Sequence, residues 1–260
     1  MENIKYASTE ITRRQFTAAG FATTLAGLAS SVKAGIASEP SAGESSARVV
    51  DLNTTVTILL FPGVTLLDAI GPYEMLHRVP GFEVRFVAER IGPVLADSGL
   101  VAVDANASIG DVDQTDVLLI PGGGIGVREA SENANLMRWI REIDRRSIYT
   151  TSVCTGSLIL ARAGFLSGRK ATTHFALKEM LNGLGAEYVA ERWVRSDKYW
   201  TAAGVSAGLD MSLALIADIE GDERAMITQL AVEYDPHPPF RSGSEGTAAP
   251  DILEAYRQRR

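Results

Sequence analysis

The chain predicts an α/β fold, a mostly parallel sheet sandwiched by helices in a single domain. Three observations point there. Short apolar runs such as Thr55-Val-Thr-Ile-Leu-Leu-Phe61 and Asp116-Val-Leu-Leu-Ile120 carry no polar alternation, as strands buried on both faces require. These runs alternate with segments of helical periodicity. Each also ends on a turn signal, Pro62-Gly63 after the first and Pro121-Gly122-Gly123-Gly124 after the second.

Taken in order, the first strand covers 55–61 and is followed by a helix over 66–77. Phe82-Glu-Val-Arg-Phe-Val-Ala88 alternates and reads as the second strand. Between Gly92 and Val103, short β segments broken by Pro93 and Ser98-Gly99 predict a hairpin. After the buried strand 116–120, residues 132–146 form an amphipathic helix with Leu136, Trp139, Ile140 and Ile143 on one face. Residues 147–153 are the next strand, and 155–163 the helix behind it. A helix over 176–184, strands over 188–194 and 199–202, and a long apolar helix over 207–220 continue the pattern. No repeat recurs, which excludes a solenoid.

Composition narrows the function classes. With 46% hydrophobic and 22% charged residues in 260, the chain is ordinary globular material. A net charge of -7 argues against a nucleic-acid partner. Cys154 is the only cysteine, so no intramolecular disulfide and no thiol-rich metal site is possible, and His77, His174 and His237 lack ligand-type spacing. No metal and no cofactor is expected.

The first 37 residues read as a twin-arginine-type export signal. Thr12-Arg13-Arg14-Gln15-Phe16 precedes a mild apolar run from Thr17 to Val32 and then the small-residue sequence Val32-Lys33-Ala34. That run is too short and too weakly apolar to span a membrane, so stable membrane association is not expected. Residues 38–53 read as a flexible linker, leaving 54–260 as the folded domain. The expectation is a periplasmic protein carried by the twin-arginine export machinery.

In sheets of this kind reactive groups collect where strand carboxyl ends turn into helices. The turn after the first strand (Pro62 to Asp68), the glycine run after Ile120 and the turn holding Cys154 all converge there. A cysteine on a sharp strand-to-helix turn stands at the positive end of the following helix, which favours thiolate and predicts a pKa below the ordinary value of about 8.5. The small residues Thr155, Gly156 and Ser157 suit a strained nucleophile elbow. Backbone donors at Gly122, Gly123 and Gly124 would serve developing charge; the same glycines also suit a tight turn alone.

Several separated motifs carry a resemblance. Leu67-Asp68-Ala-Ile-Gly71-Pro72, Ile120-Pro-Gly-Gly123, Ser152-Val-Cys-Thr-Gly-Ser157, Ala163-Gly-Phe-Leu166, Ala171-Thr-Thr-His-Phe175 and Glu233-Tyr234 with Pro238-Pro-Phe240 occur in this order. Together they resemble the ThiJ/PfpI family of the flavodoxin-like, class I glutamine amidotransferase-like fold, and within it the isonitrile-hydrating members. The resemblance implies addition of water to an isonitrile through a Cys154 thioimidate, with Asp68 as general acid and base and Thr155 orienting the site. Thr155 stands where peptidase-like members carry histidine, so a base adjacent to the cysteine is not available. His174 falls on the family's Thr-Thr-His motif, as a structural or a catalytic group. The family habit implies a homodimer acting on a small molecule. Two other readings share the fold: another cysteine-dependent chemistry, glyoxalase-like or protein repair, and a ligand-sensing module of the kind that heads AraC-type regulators. The sequence ends at Arg260, which leaves no room for the paired helix-turn-helix of such a regulator.

Overall fold

The computed structural model describes residues 53–259. The predicted export signal and all of the linker except Asn53 lie outside the described residues. The elements run β1 (Thr54–Leu59), α1 (Leu66–Leu76), β2 (Phe82–Ala88), β3 (Gly92–Leu95), β4 (Ala102–Ala105), β5 (Ala107–Ser108), β6 (Val117–Ile120), α2 (Ile125–Glu132) and α3 (Ala134–Asp144). They continue with β7 (Tyr149–Val153), α4 (Gly156–Arg162), β8 (Lys170–Ala171), α5 (Lys178–Gly183), β9 (Glu187–Tyr188), β10 (Trp193–Ser196), β11 (Tyr199–Ala202), α6 (Ala207–Glu220), α7 (Asp222–Ala231) and α8 (Pro250–Gln258).

Seven strands form the central sheet in the order β10-β11-β7-β6-β1-β2-β5. All neighbours are parallel except β10, which pairs antiparallel with β11. Its central members are buried over nearly their whole length, Ile58 and Leu59 in β1, Leu118 to Ile120 in β6 and Val153 in β7, because helices flank the sheet on both sides. α1, α6 and α7 pack together, as do α2, α3, α4 and α5. The chain leaves β1 toward β2 and returns on the other side of β1 as β6, so the crevice between the carboxyl ends of β1 and β6 is the topological switch point.

The predicted order of strands and helices is the observed one, with corrections where periodicity was ambiguous. The helix expected over 132–146 is α3, shorter at both ends, and α2 before it was not anticipated. Asn133 ends α2 and starts α3 in one residue, its side-chain oxygen accepting the N–H groups of Asn135 and Leu136 at 3.1 Å each. The helix expected over 176–184 begins as a 3-10 turn, Phe175–Leu177, before α5. The segment 188–194 is divided: β9 pairs with β8 in a small separate sheet, and β10 belongs to the main one. α7 and α8 were not anticipated.

Glycines set how closely the layers approach at the carboxyl edge. A Cβ on Gly156, the first residue of α4, would press on the Ile120 carbonyl oxygen and stand 2.7 Å from that of Pro121. A Cβ on Gly208 in α6 would lie 3.0 Å from the Val153 side chain. Gly156→Ala is expected to cost about 1–3 kcal/mol by overpacking, read as a lower urea midpoint; an unchanged midpoint would contradict this account of the β6–α4 approach.

Candidate active site

Cys154 sits between β7 and α4 in the left-handed backbone region, φ 57°. A non-glycine residue is costly there and persists only if its surroundings hold it. Four hydrogen bonds do so. Its N–H lies between the carbonyls of Ala202 and Ala203, at 3.0 and 2.9 Å. Its carbonyl accepts the hydroxyls of Ser157 and Thr173, both at 3.1 Å. The residue is 5% exposed and packs as part of the core.

Asp68 lies in the first turn of α1, fully buried. Its Oδ2 accepts the Gly122 N–H at 3.0 Å, while the buried Oδ1 has no hydrogen-bond partner among the described residues. The carboxyl stands beside the Cys154 thiol, near enough for each to shift the other's proton affinity. Burial, opposed by the Gly122 hydrogen bond and the neighbouring thiol, pushes Asp68 up to about 7. Burial, reinforced by the Asp68 charge, pushes the Cys154 thiol up to about 12, against the lowering effect of the Val205 and Thr155 N–H groups. The depressed pKa expected from the helix terminus is therefore corrected: the donors are in place, but desolvation and a neighbouring carboxylate outweigh them. The two groups titrate as a pair that loses its first proton around pH 7 and carries one negative charge above that. Moving the shared proton from sulfur to carboxyl yields thiolate without changing the net charge.

The structure brings Asp68, Gly122, Thr155 and Cys154 together and revises two roles. The Thr155 hydroxyl accepts the Gly123 N–H at 3.0 Å and donates to the Gly123 carbonyl at 2.9 Å. It clamps the glycine turn, and only the Thr155 N–H acts on the sulfur. The N–H groups of Gly122 and Gly123 are spent on Asp68 and Thr155, so they are not free donors for developing charge; Gly124 stands one residue further out, at the start of α2. Gly122 is glycine for space: a Cβ there would meet Asp68 Oδ2 at 2.6 Å and Thr155 Oγ1 at 2.7 Å. Val205 is the backbone donor that sequence reasoning missed. It lies between β11 and α6, where the strand-end rule pointed, in a strained backbone with φ 26°. His174 accepts the Ala176 N–H on Nδ1 at 3.3 Å and packs on Gly204, where a Cβ would stand 2.9 Å from its ring. It supports the Val205 loop and is not among the groups acting on the thiol. Asp210 accepts Arg192 and, at 2.8 Å, the Tyr234 hydroxyl, away from the sulfur. His237 is exposed. Among the described residues, no cluster of three His, Cys, Asp or Glu groups comes together as a metal site.

A mostly parallel sheet flanked by helices, with a cysteine on a sharp strand-to-helix turn and a buried carboxyl beside it, defines the class of this α/β protein. The chain belongs to the DJ-1/PfpI family, whose model matches residues 54–218. It is 39% identical over 204 residues to an isonitrile hydratase of Pseudomonas putida, covering 78% of this chain and 89% of that protein. It is 28% identical to the HTH-type transcriptional regulator CdhR of Pseudomonas aeruginosa, covering 65% of this chain and 51% of the regulator. The crystal structure of a ThiJ/PfpI family protein from Pseudomonas syringae superposes with a TM-score of 0.77 at 36% identity, covering 85% of this chain and 92% of that one.

Because the Asp68 charge is the second cause of the raised thiol pKa, Asp68→Asn is expected to lower it while burial still keeps it high. The check is the pH profile of Cys154 alkylation, whose midpoint should move to lower pH in the variant. An unmoved midpoint would mean that the carboxyl does not act on the sulfur.

Proposed function

We propose that the protein hydrates an isonitrile, R–N≡C, to the N-substituted formamide, R–NH–CHO. The observation that carries this reading is the buried thiol–carboxyl pair that shares protons without any adjacent base, in a chain 39% identical to an isonitrile hydratase. Isonitrile addition needs a nucleophile and a proton delivered to the same carbon, and this pair supplies both. As the sulfur attacks, Asp68 takes the thiol proton and passes it to the isonitrile carbon, giving the thioimidate R–N=CH–S–Cys154. Asp68 then draws a proton from water as the water oxygen bonds to that carbon, and passes this proton to the nitrogen, giving R–NH–CH(OH)–S–Cys154 with the carboxylate restored. The C–S bond breaks last, the hydroxyl proton returns through Asp68 to sulfur, and formamide leaves with the thiol regenerated. The Thr155 and Val205 N–H groups hold the sulfur as it gains charge.

The export reading of residues 1–37 and the homodimer are carried as proposals alongside the activity. Protein recovered from periplasm should begin near residues 35 to 38, and an intact Met1 terminus would count against export.

Purified protein incubated with cyclohexyl isocyanide should release the formamide, followed by NMR, and Cys154→Ala should abolish it. Asp68→Asn should lower turnover by at least about a hundredfold, as loss of an acid/base group does. No product from the native chain removes the activity, and equal product from Cys154→Ala removes the mechanism.

A further inference from the structure

A cavity of about 660 Å³ opens beside the cradle of the sulfur. Its inner wall includes Thr173, Gly204 and Val205; Thr173 bonds the Cys154 carbonyl and Val205 donates to its sulfur. Its outer wall is Gly243-Ser244-Glu245-Gly246, in the irregular segment between α7 and α8 and beyond residue 218, where the family model stops. Gly243 and Gly246 have no side chain to anchor this loop, and among the described residues Ser244 bonds only locally, to Thr247 and Ala248. Glu245 holds it. Its carboxylate, 29% exposed, pairs with Lys178 of α5 at 2.6 Å and Arg257 of α8 at 3.9 Å. Tyr256 of α8 meanwhile lies against Phe175, ring centroids 5.2 Å apart, so the tail and the inner wall close on each other from both ends of the loop.

We propose that Glu245 is a specificity-determining residue, which by latching the 243–246 loop fixes the width of the passage to Cys154 and limits the size of the substrate's R group. Ala190, Ala203 and Val205 give the cavity an apolar wall, Arg192 is paired with Asp210 and Glu245 with Lys178, and Glu191 adds a negative charge to the lining, so the R group favoured is one that carries no negative charge. Naming that group as part of an isonitrile rests on the function proposed above; the latch itself does not.

The test therefore uses alkylation, which needs no turnover, and the single cysteine makes the reading unambiguous. Rates of Cys154 modification by a small reagent, iodoacetamide, and a bulky one, N-(1-pyrenyl)maleimide, are compared at one pH. Glu245→Gln should raise the bulky-to-small rate ratio by about fivefold, the scale of a lost partly exposed ion pair. Glu245→Asp, which keeps the charge, should retain most of the native discrimination. An unchanged ratio in Glu245→Gln, or both rates rising alike as in general loosening, would overturn the proposal. A chain that alkylates as expected but hydrates no isonitrile would leave the latch standing and remove the substrate.

Discussion

One buried carboxyl lying against one buried thiol governs the carboxyl edge of this sheet. Neither group is comfortable alone: desolvation raises both, and the Asp68 charge raises the sulfur further. Two groups that both resist ionisation lie side by side, and the position of one proton decides which of them carries the charge. This differs from the usual route to a reactive cysteine, a strongly depressed pKa, which leaves a permanent thiolate open to stray electrophiles. On the mechanism proposed above, charge reaches the sulfur when the carboxyl beside it takes the proton.

That arrangement is mechanically demanding, and the backbone meets the demand with contacts that tolerate no Cβ. Gly122 lets its own N–H reach Asp68 while leaving room for the Thr155 hydroxyl, which in turn fixes Gly123 through both its polar backbone groups. Gly156 draws α4 down onto β6, and Gly208 draws α6 onto Val153. Loops from β1, β6, β7 and β11 are thereby locked around the sulfur, and the left-handed Cys154 backbone is held by four hydrogen bonds instead of by its own preference.

Much of this was legible in the chain because buried strands and strand-end turns are local signals. β2 and α6 were read to the residue, and the meeting of Asp68, the glycine turn and Cys154 follows from strand order alone. What escaped depends on tertiary context. α7 exposes Met226, Ile227 and Leu230 and buries Ala225 and Thr228, a pattern that hides its periodicity, and α8 buries no residue at all. α2 escaped because only Gly126, Val127 and Ala130 of its eight residues are buried, too short an apolar stripe to stand out along the chain. The glycine N–H groups were assigned to substrate because a sequence shows donors but not which side chains have taken them. The thiol pKa was misjudged for a related reason: a helix terminus can be read along the chain, whereas burial depends on how the layers close.

The same strand that grips Cys154 carries an optical label. Ala202 of β11 accepts the cysteine N–H, and two residues earlier Trp200 stacks on Trp193 of β10, ring centroids 5.1 Å apart and planes 6° from parallel, with the Arg195 guanidinium over the Trp200 ring. Indoles that close exchange excitation energy, and their spectrum depends on their spacing. The stacked pair therefore sets an intrinsic fluorophore on the strand that grips the thiol, at the margin of the sheet and on a different element from the chain's third tryptophan, Trp139 of α3.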